Sequence, residues 1–229
     1  MVPKAVWISF LLAFTALLPL INPVGSALIF LGLVGDEPAA VYRRLARKVA
    51  IATIVFLLVI EFLGSLVLSF FGISLPIVQV TGGIVIAATA WSLLFENDAS
   101  VNTRKKNEEI AGSGSGDDGD LEGKIFYPFT FPITAGPGTL VVMLTLSARV
   151  SNRGIARTAA AHAGIVAAAI VLSASVYFCY SYAPKLIKAV SPSTVHGILR
   201  VIAFILMCIG MQIAWNGISM LGATLIRHK

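Results

Sequence analysis

The chain has little charge and very little cysteine. Asp, Glu, Lys and Arg make up 12% of its 229 residues, whereas about a quarter is usual in a soluble domain. With 57% hydrophobic residues, this composition excludes a disordered chain, a nucleic-acid-binding module and an ordinary cytosolic enzyme. The two cysteines, Cys179 and Cys208, lie in apolar runs and form neither a disulfide framework nor a zinc pattern. The composition therefore indicates an integral membrane protein.

Motifs for several kinds of chemistry are also absent from the sequence. It has no Gly-rich loop ending in Lys-Ser or Lys-Thr, which excludes direct use of ATP through a phosphate-binding loop. It has neither a nucleophile–base–acid set nor a spacing typical of metal ligands. We therefore expect no enzymatic activity, no metal, no cofactor and no nucleic-acid partner.

Long stretches without charged residues predict the architecture. Each exceeds the roughly 20 residues that a helix needs to cross a bilayer, and they run over 5–35, 62–95, 125–148, 158–184 and 201–226. A further apolar stretch, 49–71, is interrupted by Glu61 and ends at a turn over Phe71–Pro76. The sequence thus predicts an all-α membrane protein with six transmembrane helices, near 5–34, 48–71, 76–95, 125–148, 155–182 and 197–224.

Segment 96–124 differs from the rest of the chain. It contains eight of the eleven acidic residues and a run of alternating Gly and Ser. This composition predicts a flexible hydrophilic linker. The linker separates two three-helix halves, 1–95 and 125–229, which together form one membrane domain.

The distribution of Lys and Arg predicts the orientation. Ten of them lie in or beside loops 35–47, 96–124 and 183–196, and six lie on the opposite side. Because cytoplasmic loops are enriched in these residues, we expect the first side to be cytoplasmic and both termini to be extracytoplasmic. Three arginines between 149 and 157 favour the opposite orientation.

Two Pro- and Gly-containing segments lie at matching positions of the two halves. Leu18–Ser26 in the first helix and Phe131–Thr139 in the fourth each contain a Pro, a second Pro four or five residues later, a Gly and a hydroxyl residue. Because each half has three helices, homologous halves would have opposite orientations in the membrane. The pattern therefore predicts two inverted three-helix repeats whose first and fourth helices are broken at these prolines.

A new half-helix can begin at each break. Asn22 is a favourable N-cap and Pro23 a favourable first helical residue, and Gly136 and Pro137 can act in the same way. Each restart is expected to leave free amide groups at the positive end of a helix dipole. In transporters built from inverted repeats, such helix ends hold anionic groups of the substrate. The alternative is a pair of packing kinks without a ligand.

Several motifs resemble those of the MarC family of six-helix bacterial and archaeal membrane proteins. In the last helix, Gln212 is followed by Asn216-Gly217, as in that family. The other matching motifs are Asn22-Pro23-Val24-Gly25, Phe131-Pro132-Ile133-Thr134-Ala135-Gly136-Pro137-Gly138, Phe71-Gly72-Ile73-Ser74 and Gly82-Gly83-Ile84. The resemblance covers nearly the whole chain except the linker.

This resemblance implies an inverted-repeat fold with broken first and fourth helices. It also implies a multi-pass protein of a prokaryotic plasma (inner) membrane and a link to the transport of small neutral amino acids. The chain departs from the family at Ala27-Leu28, where members often carry a further Pro, and at Glu61, which is not a feature of the family.

Glu61 is the carboxylate that lies inside a predicted span. An ionisable group at that depth is costly, so Glu61 is a candidate for proton or ion coupling. The alternatives are a residue near a helix end and a protonated side chain bonded to a neighbour. His162 lies in the small-residue run Ala159–Gly164, where a hydrogen-bonded interior histidine and close helix packing are expected. An enzyme using Glu61 and His162 is a remote alternative.

Other polar residues of the spans are secondary candidates. Arg200 lies near the start of the last helix, where it is expected to extend to lipid phosphates. Gln212 and Asn216 are neutral hydrogen-bonding groups of the same helix. Tyr177, Tyr180 and Tyr182 are expected in the interfacial aromatic belt.

These features predict a secondary transporter or exporter of small zwitterionic solutes that works by alternating access between membrane sides. The family resemblance makes small neutral amino acids the expected substrates, and the lipid bilayer is the other partner. The predicted substrate-binding residues are Asn22, Pro23, Gly25, Ser26, Thr134, Ala135, Gly136, Gly138 and Thr139. A passive channel for small solutes or ions and a drug or metabolite efflux protein are the alternatives. The exact substrate, coupling ion, flux direction and oligomeric state stay open.

Overall fold

The protein is helical throughout the part of the chain that the computed structural model describes, residues 2–35, 37–95, 118–150, 155–185 and 192–227. In chain order, the elements are α1 (Val2–Ile21), α2 (Pro23–Val34), α3 (Ala39–Phe70), α4 (Leu75–Phe95), α5 (Asp118–Gly123), a wide helical segment π1 (Ile125–Thr134), α6 (Pro137–Val150), α7 (Ile155–Ser181) and α8 (Pro192–Arg227).

Five helical stretches are long and apolar enough to cross a membrane. They are Pro3–Val34, which joins α1 and α2, then α3, α4 and α7, and Gly197–Ala223 within α8. The segments π1 and α6 pass the same test together, although a bend of 71° separates them. The described part of the chain therefore forms an all-α, multi-pass membrane protein with five spans, or six when the bent pair counts as one.

The second span begins earlier than the sequence predicted. Helix α3 starts at Ala39 instead of near residue 48, so the cluster of basic residues that was assigned to a loop lies on helix. The physical reason is that Arg and Lys are good helix formers, and nothing after Pro38 interrupts the helix. The Tyr42 hydroxyl donates to Gly35 O at 2.6 Å and ties this extended end of α3 to the end of α2.

Part of the predicted flexible linker is a short helix. Residues 118–123 form α5, while 96–117 lie outside the described residues. Glu122 of α5 contacts Lys48 of α3 at 2.6 Å and Arg44 at 3.5 Å. The hydrogen bond and charge of Lys48 lower the pKa of the Glu122 carboxyl. Because Glu122 is well exposed, these ion pairs position α5 beside α3 but stabilise the fold only slightly.

Glycines determine how closely α4 and α8 approach each other. A Cβ added at Gly210 would lie 2.6 Å from Ala87 N and 2.7 Å from Gly83 O, and one added at Gly217 would lie 2.6 Å from Pro76 O. These neighbours are backbone atoms, which cannot move aside unless the helices separate. The two helices therefore pack almost backbone against backbone along α4, as small residues allow in membranes.

Helix α7 packs against both halves of the chain, because it contacts α1, α2, α3 and α6. Gly164 lies against the α1 backbone at Val6 and Phe10. The residues at helical spacing on one side of α7 are buried, among them Ile165, Ala168, Leu172 and Val176. The prediction that the small residues around His162 serve close packing is confirmed.

Candidate functional site

The first break is a single residue in the left-handed conformation. Asn22 has φ 41° and ψ 67°, and its side-chain oxygen accepts a hydrogen bond from Gly25 N at 3.1 Å. Pro23 is the first residue of α2, and the Ser26 hydroxyl donates to Asn22 O at 2.9 Å. The prediction that Asn22 caps a new helix begun by Pro23 is confirmed. The axis stays straight enough that α1 and α2 form one span.

Replacing Asn22 separates its two contributions. Gly tolerates the left-handed backbone but has no capping oxygen, so Asn22→Gly should lower the free energy of unfolding by only about 0.5 kcal/mol. Ala lacks the cap and is also strained in this conformation, so Asn22→Ala should cost about 2 kcal/mol. Thermal unfolding of the purified variants in detergent measures both. Equal losses would contradict a requirement for the left-handed backbone.

The second break is a sharp bend between π1 and α6. Tyr127 and Phe131, each followed by a proline, have extended dihedrals of φ −120°, ψ 123° and φ −123°, ψ 125°. For Phe131 this confirms the prediction that the residue before a proline leaves the helical region, whereas Leu18, which precedes Pro19, stays inside α1. The chain then turns at Ala135 and Gly136, and α6 begins at Pro137.

Four of the amide groups at the two helix starts are bonded within the chain. Gly25 N uses the Asn22 side chain and Ser26 N uses Asn22 O, while Thr139 N and Leu140 N lie 3.0 and 3.3 Å from Gly136 O. The sequence predicted free amides at these positions. The difference arises because the residue before each half-helix supplies its own acceptors. A ligand in this conformation would therefore meet hydroxyl groups before backbone amides.

Tyr180 connects the two breaks. Its hydroxyl is hydrogen-bonded to the Thr134 hydroxyl at the end of π1 at 2.7 Å and lies near the Ser26 hydroxyl at the start of α2. Its ring stacks on Phe30 of α2 at a centroid distance of 4.3 Å. Thr134 in turn donates to Phe129 O at 2.6 Å. One buried side chain thus contacts both Phe30 and Thr134, which are more than a hundred residues apart in sequence.

The assignment of Tyr180 to the interfacial belt was wrong. Its side chain is 0% exposed, whereas its neighbour Tyr182 is 52% exposed. A signal was present in the sequence, because Tyr180 follows Val176, Leu172 and Ser173 at the spacing of one helix face. Its partners on α2 and π1 could not be read from that periodicity.

The two breaks are close to each other and largely buried. A Cβ added at Gly138 would lie 2.8 Å from Leu20 of α1 and 2.7 Å from Ile86 of α4, so the second break contacts the first span. Pro23, Gly25, Ser26, Thr134, Ala135 and Thr139 are all buried. The Thr139 hydroxyl oxygen has no hydrogen-bond partner among the described residues. The structure therefore brings the two breaks together in an uncharged and largely buried centre, in which Asn22, Gly136 and Gly138 are half-buried.

The secondary candidates lie elsewhere. Gln212 is exposed and donates to Asn216 at 3.0 Å along the surface of α8, and Arg200 is exposed near the start of that helix. Glu61 is buried at 1% exposure and contacts His162, away from the breaks. This confirms the expectation of a hydrogen-bonded interior histidine. The described residues contain no cluster of three or more potential metal ligands.

Comparison with known proteins identifies the family. The model of the MarC family of integral membrane proteins matches residues 7–221. The inner membrane protein MarC of Salmonella paratyphi A is 28% identical over 214 residues, covering 90% of this chain and 92% of the relative. Its counterpart from Escherichia coli O1:K1 is 27% identical over 213 residues with the same coverage. No solved structure matches. The match over nearly the full length shows that the chain belongs to the MarC family.

Proposed function

We propose that the protein is a secondary transporter or exporter of small neutral amino acids, or of similar small zwitterionic solutes, working by alternating access. The observation that carries this proposal is the buried Tyr180 side chain, whose hydroxyl is bonded to Thr134 of the second break and lies near Ser26 of the first, while its ring stacks on Phe30 of α2. Interrupted helices that meet inside a membrane bundle are typical of the central binding site of secondary transporters. Non-helical backbone at that depth is tolerated where it is buried in protein or lines a cavity.

The packing of the helices supports two inverted three-helix repeats. In such an arrangement α1–α2, α3 and α4 correspond to π1–α6, α7 and α8. The contacts then occur in matching pairs, because α1 packs on α7 as α6 packs on α3. Two other large interfaces, α4 with α8 and α3 with α7, each pair a helix with its own counterpart. A rocking motion of one half against the other would use these interfaces as its axis.

The chemistry of the site fits a solute without net charge. The predicted site residues include no charged side chain. The Thr139 hydroxyl has no partner among the described residues, and the hydroxyl oxygens of Ser26 and Tyr180 can accept further hydrogen bonds. The start of α6 supplies the positive end of a helix dipole for a carboxylate. Carbonyl groups released at the bend after Thr134 would accept from an ammonium group. Leu20 and Ile86 lie close to Gly138, so the space beside it favours a solute with a small side chain.

The closed conformation explains why a transport cycle needs movement. Six of the nine predicted site residues are buried, so a solute reaches them only after the two halves separate on one side. We place the loops richest in Lys and Arg in the cytoplasm and both termini outside. The names of the relatives locate those proteins in the inner membrane, and we assign this chain to the same kind of prokaryotic membrane.

The proposal is tested by counterflow in proteoliposomes. Vesicles loaded with unlabelled solute are diluted into radiolabelled glycine, alanine, serine, glutamate or tryptophan. We expect saturable, protein-dependent exchange of the first three and little exchange of the charged or bulky ones. Non-saturating flux without exchange would indicate a passive channel instead. Extrusion of a cationic drug without exchange of any amino acid would indicate an efflux protein.

Removing the Tyr180 hydroxyl tests whether the contact between the breaks matters. Tyr180→Phe keeps the ring on Phe30 but leaves Thr134 bonded only within π1. We expect about tenfold slower alanine counterflow and a loss of about 1 kcal/mol in unfolding free energy. The exposed Tyr182→Phe is the matched control and should change neither. Unchanged counterflow in Tyr180→Phe would contradict a role for this hydroxyl in transport.

A further inference from the structure

A second polar centre lies away from the breaks, where α3, α6 and α7 meet. Glu61 Oε1 of α3 and His162 Nδ1 of α7 are 2.6 Å apart. Ser147 of α6 donates its hydroxyl hydrogen to Glu61 O at 2.8 Å. Three helices from both halves of the chain thus meet at Glu61, whose carboxyl group contacts α7 and whose backbone carbonyl accepts from α6. The proposed solute site does not use this pair.

Because the pair lies inside the bundle, its protonation state determines whether a net charge is buried there. The Glu61 side chain is 0% exposed and that of His162 is 21% exposed. Glu61 Oε2 is buried and has no hydrogen-bond partner among the described residues. A carboxylate facing a neutral histidine would leave an uncompensated negative charge inside the bundle, which is costly. One additional proton, either on Glu61 Oε2 or on His162 Nε2, makes the pair neutral overall.

Other charged groups do not compensate for this charge from within the bundle. On α3 itself, the remaining charged residues are more than three turns away, at about 20 Å or beyond along the helix, and they are Arg43, Arg44, Arg47 and Lys48. On the helices packed around the pair, the charged residues of the described part are exposed, and they are Lys4 of α1, Arg149 of α6 and Arg157 of α7. The closed bundle therefore has its lowest free energy when the pair holds the additional proton.

Helix α6 extends from the backbone of Glu61 to the second break. Ser147 and Gly138 belong to the same helix, α6, and are about 14 Å apart along it. Next to Ser147, Leu144 packs against Gly64 of α3, where a side chain would clash with it. A change in how α3 holds this part of α6 is transmitted along a rigid helix to its start at Pro137.

We infer that Glu61 and His162 form the proton-binding site that couples solute movement to proton movement. This inference rests on the proposed transport function and deepens it. When the bundle opens to one side, a proton from water neutralises the Glu61 carboxylate–His162 pair, and the neutral pair is compatible with the closed state. Opening to the other side admits water and releases the proton. The solute and the proton thus use separate sites joined by α6.

Gradient-driven uptake tests the proton site, and counterflow tests the solute site. A gradient of about one pH unit should drive up to about tenfold accumulation of alanine if one proton moves with each solute. Glu61→Gln keeps the size and a hydrogen bond to His162 but holds no titratable proton. We expect this variant to lose gradient-driven accumulation while retaining counterflow within about threefold of the unmodified protein. His162→Gln should show the same separation, and the exposed Ser65→Ala should behave as the unmodified protein does.

An infrared titration reads the site without any solute. The purified protein should show a band of the pair, either that of a protonated Glu61 carboxyl group or that of the His162 imidazolium, which changes with pH and is missing in Glu61→Gln. Full gradient-driven accumulation by Glu61→Gln, or a wild-type spectrum lacking this band, would overturn the inference while leaving the proposed transport intact. Absence of counterflow in the unmodified protein would overturn the transport proposal and the coupling together, whatever the infrared band shows.

Discussion

Replacing Gly210 with leucine should prevent α4 and α8 from packing and leave little folded protein. A Cβ at this position would meet Ala87 N at 2.6 Å and Gly83 O at 2.7 Å, both in the α4 backbone. Because backbone atoms cannot rotate away as side chains do, the two helices must separate. We expect a loss of about 3 kcal/mol or more in unfolding free energy, together with a collapse of the monodisperse peak in size-exclusion chromatography.

A matched control lies on the same helix. Gly222 is twelve residues further along α8, and a Cβ there would meet nothing within 4 Å. Gly222→Leu adds the same side chain to the same helix and should yield protein with near-normal thermal stability. Equal behaviour of the two variants would show that the close α4–α8 contact is not required.

Replacing Gly138 with leucine should abolish transport while the protein still inserts and purifies. The space beside Gly138 is bounded by Leu20 Cδ2 at 2.8 Å and Ile86 Cγ1 at 2.7 Å from an added Cβ, and both are side-chain atoms that can shift. The fold can therefore accommodate the substitution at moderate cost. The larger side chain would nevertheless fill the space between the two breaks. We expect alanine counterflow to fall by at least about a hundredfold, a loss of about 2.7 kcal/mol in transition-state stabilisation.

The Gly138 experiment distinguishes a solute site from a structural kink. Gly222→Leu serves again as the control for an added leucine, since Gly222 lies away from both breaks. Normal counterflow in Gly138→Leu would mean that the bend at Ala135–Gly136 only shapes the helix. If Gly138→Leu lost both its fold and its transport, Gly138→Ala would separate the two effects, because its smaller side chain should preserve the fold and reduce flux only partially.

Local patterns predicted the broken helices, whereas spatial neighbours could not be predicted. Pro23 after Asn22 and Pro137 after Gly136 carry the information for a helix start in the residues themselves, and both helices begin there. The predicted start of α3 was about nine residues too late. The basic residues before it were assigned to a loop because of their charge, although such residues favour helix. The apolar character of the spans was enough to identify a membrane protein.

The candidate site shows the same limit. Ser26 and Thr134 were predicted from the breaks, but the residue that joins them, Tyr180, was assigned to the membrane interface. A tyrosine near a helix end looks the same in sequence whether it faces lipid or the bundle. The difference arises from tertiary packing, here the stacking on Phe30. Likewise, Glu61 and His162 were each singled out, but their contact across 101 positions is visible only in the fold.

The central claim is that the two breaks form one solute site reached in turn from each side of the membrane. Ser26→Cys, in a chain whose Cys179 and Cys208 are replaced by serine, places a thiol at that site. In vesicles of either orientation, a membrane-impermeant thiol reagent should modify it from both sides, and alanine should slow both reactions. Ser74→Cys, exposed at the turn before α4, should react from one side only. Reaction of Ser26→Cys from a single side, or without protection by alanine, would contradict the account.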